Sequence, residues 1–594
     1  MRLRLSVLLF FLVCFSRNSV LAEPPVEGMW LPMLLDQLTL SDMQANGMKF
    51  SADEIYSENH ASMKDAVCLF ANNCTGTVIS DEGLLLTNHH CAGGRINSLR
   101  TDSQDYLTNG FWAMNHAEEK PCAGLTVTFI ISMEDITSKI LSVLNNQMEE
   151  WQRNLKIDSM SVVVAREKIS GTHYGAQVKP FYNGNQFILF VTETFRDVRF
   201  VGTPPLSIGN FGGETDDWSW PRQTGDFAVF RIYADKNNAP ADYSVDNAPF
   251  KPRYSFPVSL SGVKEGDFTM VLGFPGRSNE YASSYAIEFT QNVFNENRNK
   301  VNEKIVEVWS DEMESNDTFR KQYLPKYNGV ASALKKSSGE VYGLKKADVI
   351  TWKERYEQDF SNRLATNASW NKKYSTLLTD LKESYDSLGK LQPYITYNDA
   401  LLNTELLTFA STFEKLETAA QSKDATEASI QTAVDDERNS AIKFFKGYAR
   451  EVDLDLFAAM TTLYGNEIGF EKAPLALQEA MATFPGDGQA FAQKLFEASF
   501  LDDEKKVMSF LEKFKKGSLK KLAKDPVYQL VQGINAYNER FIDLPFEGLR
   551  NNISILNRKY MAAQLEVMND HRFYPDANLS FRIAYGKVES YQPR

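Results

Sequence analysis

Two adjacent histidines, His89 and His90, follow the apolar run Leu84-Leu85-Leu86-Thr87 and are followed at once by Cys91. Imidazole takes up and returns a proton near neutral pH, so a histidine delivered at the end of a rigid strand is a candidate general base for activating a hydroxyl. Such a base works only if its tautomer is held, and a carboxylate accepting from one ring nitrogen does that while stabilising the imidazolium. The stretch from Gly212 to Phe227 offers three aspartates, Asp216, Asp217 and Asp226. Asp226 stands at the mouth of an apolar run, where a fixed orienting group belongs, but the other two qualify by residue type.

These groups need a scaffold, and the surrounding pattern predicts one. Residues 76–80, the turn Asp81-Glu82-Gly83 and residues 84–87 read as a β-hairpin that delivers the histidines. Further strands are expected at 125–131, 187–192, 227–233 and 268–273, with turn signals between them, which argues for a barrel or sandwich. Residues 136–168 read instead as a helical insertion. Beyond Tyr285 and through residue 565 apolar positions recur at helical spacing, as in Leu377-Leu378-Leu381 and Val507-Phe510-Leu511-Phe514. A β pattern resumes at 579–586, after the turn Pro575-Asp576-Ala577-Asn578.

A chain of 594 residues with 43% hydrophobic content predicts two or three packed domains. The net charge of −13 disfavours nucleic acid or an anionic membrane as main partner. Arg2 and Arg4, the apolar stretch 5–15 and Val20-Leu21-Ala22 read as a secretory signal peptide cut near Ala22, which predicts a periplasmic or secreted protein. A lipid anchor at Cys14 lacks the small residues its processing needs, and no later stretch is apolar enough to span a membrane. Export leaves Cys68, Cys74, Cys91 and Cys122, which favours two disulfides over a metal site, since no CxxC or HExxH occurs.

The motifs then join. Glu27-Gly28-Met29-Trp30, Thr87-Asn88-His89-His90-Cys91, Gly110-Phe111-Trp112-Ala113, Trp218-x-Trp220-Pro221-Arg222-x-Thr224-Gly225-Asp226-Phe227, Gly273-Phe274-Pro275-Gly276 and Pro575-Asp576-Ala577-Asn578 together resemble the bacterial dipeptidyl-peptidase 7 and 11 family of serine exopeptidases. The likeness spans nearly the whole chain. It implies a mixed β and α fold, a chymotrypsin-like double β-barrel with a large inserted α-helical cap that limits cleavage to dipeptides from a free N-terminus. Mapped on this chain, the division is a signal peptide at 1–22, a β-barrel part carrying the histidine and aspartate at 23–283, a helical cap at 284–565 and the start of an incomplete second barrel at 566–594. The resemblance puts the base on His90 and its orienting carboxylate on Asp226, with Asp217, Trp218 and Ser332 around the substrate ammonium. It implies oligopeptide substrates, a homodimer, and no metal or cofactor. The chymotrypsin likeness favours pairing Cys74 with Cys91, which leaves Cys68 with Cys122; Cys68 with Cys74 is the alternative.

The chain also departs from the family. The family's nucleophile lies in a Gly-Asn-Ser-Gly-Ser-Pro segment that has no match here, and Ser261 and Ser278 lack the glycine-flanked turn of an exposed nucleophile. Asp217 and Ser332 stand where the family has asparagines, and Gln223 where it has histidine. The expectation is a dipeptidyl-peptidase sequence without its serine, inactive by itself; the other reading is an inactive relative that binds peptide N-termini or serves as a scaffold. Structural roles are expected for His89 and for the lysine-rich run 513–524 as a solvated helix face; by residue type Trp218 and Trp220 read as core more than as ligand platform, although the resemblance raises Trp218 as a wall of the substrate cleft.

Overall fold

The computed structural model describes residues 27–101, 103–145, 147–213 and 218–591, so the leader read at 1–22 lies outside the described residues. Eleven strands build one antiparallel sheet: β1 (Val67–Phe70), β2 (Cys74–Val78), β3 (Leu84–Thr87), β4 (Phe111–Trp112), β5 (Lys120–Pro121), β6 (Val127–Asp135), β7 (Gly175–Phe181), β8 (Gln186–Phe195), β9 (Asp197–Thr203), β10 (Ala228–Ala234) and β11 (Ala248–Pro249). Their order is β4-β9-β10-β3-β2-β1-β6-β8-β7, with β5 also on β9 and β11 also on β10. The expected hairpin is β2 and β3, paired Thr77 to Leu86 and Val78 to Leu85. Its turn requires glycine: Gly83 has φ 66°, and a Cβ there would lie 2.9 Å from the carbonyl oxygens of both Ile232 and Phe250.

β10 is apolar on both faces because both are covered, and only Arg231 along it is not fully buried. Arg231 is neutralised by Glu119 at 2.9 Å, which also accepts from the Tyr233 hydroxyl at 2.8 Å. Phe230 packs on Phe70 and Phe200, with ring centroids 5.1 and 5.5 Å apart. Each such ring taken from water contributes about 2–3 kcal/mol, so the middle of the sheet, from which the histidine strand emerges, is its firmest part.

From Ser284 to Val567 the chain is helical. Its main core gathers Leu406, Leu407, Phe413, Val452 and Phe457, all buried at helical spacing. The carboxylate of Asp453 accepts from the main-chain N–H groups of Glu405 and Leu406, closing the first turn of helix Glu405–Gln421. Helix Leu544–Val567 returns to the sheet: Arg558 pairs with Glu150 through two bonds and its carbonyl accepts from Asn185 at 2.9 Å. The chain then adds β13 (Arg582–Lys587), which pairs over its full length with β12 (Phe268–Gly273) in a separate two-stranded sheet. Arg582 is 2% exposed and donates to the carbonyls of Met29, Pro575 and Asp576, to Ser580 Oγ and to Asn578 Oδ1. That one side chain ties β13 to the start of the described chain.

The fold is therefore mixed α and β, with a large antiparallel sheet and many helices. The cysteine expectation is half corrected. Cys74 and Cys91 are bonded, with Cα atoms 6.2 Å apart, whereas Cys68 and Cys122 are free thiols. Each lies buried in the sheet core against a carbonyl, Cys68 on Gly76 at 3.5 Å and Cys122 on Lys120 at 3.6 Å. Burial raises both thiols, Cys122 to about 12, so they stay protonated and pack as small apolar groups.

Candidate active site

The site grows from the pairing of β3 with β10. Thr87 stands opposite Ala228, so the residues following β3 meet those preceding β10 at the same rim of the sheet. Strand geometry ends at Thr87, whose hydroxyl donates to the carbonyl of Thr75. Asn88 is extended, and a helix, His89–Ser98, begins directly after it. The sequence reading had the histidines at a strand end; they form the first turn of this helix. Cys91 sits in that turn, and its bond to Cys74 at the start of β2 clamps helix to hairpin.

His90 and Asp226 meet across 136 residues. His90 Nδ1 lies 2.7 Å from Asp226 Oδ2, and the main-chain N–H of His90 donates to Oδ1 at 3.0 Å. The carboxylate thus grips both the ring and the backbone of the same residue. Asn88 adds a second hold, its side-chain amide donating to the Asp226 carbonyl at 3.1 Å and to Oδ2 at 3.3 Å. Burial pushes the Asp226 carboxyl up, but the bonds from the His90 ring and N–H, with the charges of His90 and Arg222, outweigh it and hold the group below the usual carboxylate range. An ionised Asp226 fixes the proton of neutral His90 on Nδ1, leaving the lone pair on Nε2, the arrangement of a general base. The His90 side chain is 69% exposed and that of Asp226 only 16%, so the ring is reachable while its anchor is shielded.

Around this pair the other expected residues are unevenly placed. His89 points inward, 3% exposed, with its ring against Gly209, where a Cβ would come within 2.4 Å of Cδ2. Burial lowers its pKa, which suits a neutral packing role. Gly225 and Thr224 are stapled to the short helix Leu206–Gly209, Gly225 N–H to Ile208 O at 2.9 Å and the Thr224 hydroxyl to Gly209 O at 3.2 Å. That staple sets where Asp226 begins. Trp218 and Trp220 are 62% and 74% exposed, which corrects their reading as core residues: they sit on the surface loop leading to Asp226 and contribute little to any core. The Trp218 indole N–H donates to Ser332 Oγ at 3.2 Å, so this loop touches helix Asp317–Lys346. Asp217 lies outside the described residues. Ser278 is engaged elsewhere, donating to Asp576 Oδ1 at 2.6 Å and accepting from the Ala577 N–H at 3.0 Å.

Cys74, His90 and Cys91 bring ligand-type atoms within 4.8 Å of one another, but the two sulfurs are bonded and supply no thiolate to a metal. Sequence reasoning missed Asn88 and the Thr224-Gly225 staple. Their signals were a helix-capping residue directly before the histidines and a Thr-Gly pair directly before the carboxylate.

Residues 26–594 match the family model described as Peptidase S46. The chain belongs to the peptidase S46 family. Its relatives include the Asp/Glu-specific dipeptidyl-peptidase of Flavobacterium psychrophilum, 38% identical over 96% of this chain and 78% of that one. Dipeptidyl-peptidase 7 of Porphyromonas endodontalis is 34% identical over 100% of this chain and 71% of that one. Among solved structures, Porphyromonas endodontalis DPP11 matches with a TM-score of 0.82 at 29% identity, over 96% of this chain and 81% of that one. The same protein in complex with the dipeptide Arg-Glu matches with a TM-score of 0.79. This S46 chain is thus a peptidase by family, and its His90–Asp226 pair is the arrangement a hydrolytic proton transfer needs.

Proposed function

We propose that the chain is a serine-type dipeptidyl-peptidase releasing dipeptides from the free N-terminus of oligopeptides, with His90 as general base and Asp226 as its orienting group. The observation that carries this reading is the double grip of Asp226 on the ring and main chain of His90. In this mechanism His90 Nε2 takes the proton of a serine hydroxyl as its oxygen attacks the scissile carbonyl. Asp226 stabilises the imidazolium, which then gives the proton to the departing amine. The serine is assigned to the Gly-Asn-Ser-Gly-Ser-Pro segment of the resembled family, which these 594 residues do not contain. The greater length of the relatives supports that assignment.

Asp217, Trp218 and Ser332 are proposed to hold the substrate ammonium, since a carboxylate pairs with it and a hydroxyl oxygen accepts from it. The Trp218 to Ser332 bond supports this, because it brings a residue of the helical region to the loop beside Asp226. In the same reading residues 284–565 cap the cleft, residues 23–283 are the barrel part holding His90 and Asp226, and β13 opens a second barrel. The protein is exported after cleavage near Ala22 and pairs as a homodimer, which light scattering on the purified chain tests.

The decisive experiment reads the coding DNA past Arg594, expresses both the 594-residue chain and the longer frame, and assays dipeptidyl coumarin amides. The expected result is no turnover by the shorter chain and turnover by the longer one, abolished by His90→Ala. A stop directly after Arg594, with binding of peptide N-termini but no hydrolysis, would replace the enzyme by an inactive peptide-binding relative. Hydrolysis by the shorter chain would refute the missing serine.

A further inference from the structure

Residues 505–524 hold eight lysines and a single acid, Glu512, inside a chain of net charge −13. Helix Glu504–Glu512 is capped by Asp503, which accepts from the Lys506 N–H, and it buries Val507, Phe510 and Leu511 on one face. The chain turns at Lys516–Ser518 into helix Leu519–Leu522, which buries Leu522. With the apolar positions spent on the core, all eight lysines are left on the outer face. Among the described residues only Lys506 of this group has a carboxylate within 4 Å, Asp503 at 3.4 Å. Among the described residues the other seven have no carboxylate that close.

All eight are exposed, as expected of a solvated helix face, and four of them also converge. Lys505, Lys506, Lys513 and Lys521 line one cavity of about 440 Å³ together with the hydroxyl residues Ser509 and Ser518 and a single carboxylate, Asp503. Phe510 forms part of its wall, and Lys521 Nζ is held over the rings of Phe500 and Phe510, 4.4 and 5.8 Å from their centroids. The adjoining cavity shares Asp503, Lys505 and Lys506 with it and adds Glu497, Asp502, Glu504 and Arg450, so that four acids face three cations there, against one acid and four lysines here. Several like charges around one concavity repel one another, and a multivalent anion placed among them relieves that repulsion. A single carboxylate brings one charge, whereas phosphate groups bring more charge and several acceptor oxygens for ammonium and hydroxyl donors.

We propose that the lysine-lined cavity between helices Glu504–Glu512 and Leu519–Leu522 binds a ligand presenting two or more phosphate groups, either a soluble polyphosphorylated molecule or phosphate headgroups at a lipid surface. The site is independent of the peptidase reading, since none of its residues belongs to the His90–Asp226 rim.

The test measures binding of the whole 594-residue chain to inorganic tripolyphosphate by calorimetry, and to vesicles of phosphatidylglycerol and phosphatidylcholine in equal parts by sedimentation. Three proteins are compared: the natural chain, Lys513→Glu with Lys521→Glu, and the charge-matched control Lys236→Glu with Lys251→Glu. All four positions are exposed, and circular dichroism checks that the helices persist. The expected result is binding that weakens with salt and falls at least about tenfold in the cavity variant, while the control stays close to the natural chain. Binding of tripolyphosphate identifies a soluble ligand, and binding of vesicles alone identifies headgroups; both support the site. Absence of binding to either probe, equal binding by the cavity variant, or equal loss in both variants would overturn it.

Discussion

The rim that carries His90 and the face that carries the lysine cavity are built in opposite ways. His90 and Asp226 are 136 residues apart and meet because β3 pairs with β10, with a disulfide and a two-point carboxylate grip holding the result. The cavity lysines come from one short stretch, where local periodicity turns them outward and the packing of two neighbouring helices brings them together. A site made by strand pairing is precise and depends on distant packing; a site made by one amphipathic stretch tolerates change around it. The difference teaches where each site is vulnerable.

The sharpest way to break the contrast is at the rim. Asp226→Asn in the longer frame is expected to lower kcat by roughly 10³ to 10⁴-fold, because an amide at that place favours the wrong imidazole tautomer. Steady-state hydrolysis of a dipeptidyl substrate measures it, and phosphate binding at the lysine cavity should be untouched.

Next in size is Arg582→Met. It leaves the carbonyls of Met29, Pro575 and Asp576 without their buried donor, at an expected cost of about 3–5 kcal/mol in urea unfolding. A cost under about 1 kcal/mol would mean that water replaces the guanidinium.

Reducing Cys74–Cys91, whose partners are 17 residues apart, is expected to cost about 3 kcal/mol through the freedom regained by the unfolded loop. Hydrogen exchange read by mass spectrometry should place that loss in the sheet around β2 and β3 and leave the helices after Ser284 protected as before.

The smallest effect separates the two regions by pH. Asp226, held below the usual carboxylate range, contributes stability that is present above the unfolded carboxyl value of about 4 and is lost as pH falls through its lower folded value. Asp453 and Glu437 in the helical region have the reverse sign, because burial raises both to about 7. The folded chain keeps protons there that the unfolded chain releases above about pH 4, so their contribution falls as pH rises from about 4 to about 7. Asp453→Asn with Glu437→Gln should flatten that fall, read from unfolding midpoints across the range.

Much of this was legible along the chain, for reasons that differ by region. The strand expected at 268–273 coincides with β12, and the hairpin before the histidines is β2 and β3, because period-two patterning and a turn glycine are local signals. The strands β7 and β9 were not foreseen. Gly175-Ala176-Gln177-Val178-Lys179-Pro180-Phe181 alternates, but glycine, alanine and proline give it a weak strand preference, and its pairing with β8 supplies the order its own sequence lacks. Helix His89–Ser98 was missed because its two glycines and short apolar face give a weak helical pattern. The surface positions of Trp218 and Trp220 ran against the usual burial of large rings.

Residue types and spacing alone determined the chemistry on offer here: an imidazole after an apolar strand, carboxylates before another, four cysteines and a run of lysines. They could do so because side-chain pKa, turn preference and helical or strand period act within a few residues. Only the tertiary structure decided that Asp226 meets His90, that Cys91 takes Cys74 while Cys68 and Cys122 stay thiols, and that four lysines share one cavity. Those outcomes depend on strand register and on which faces pack together, and such contacts are settled by the whole core at once.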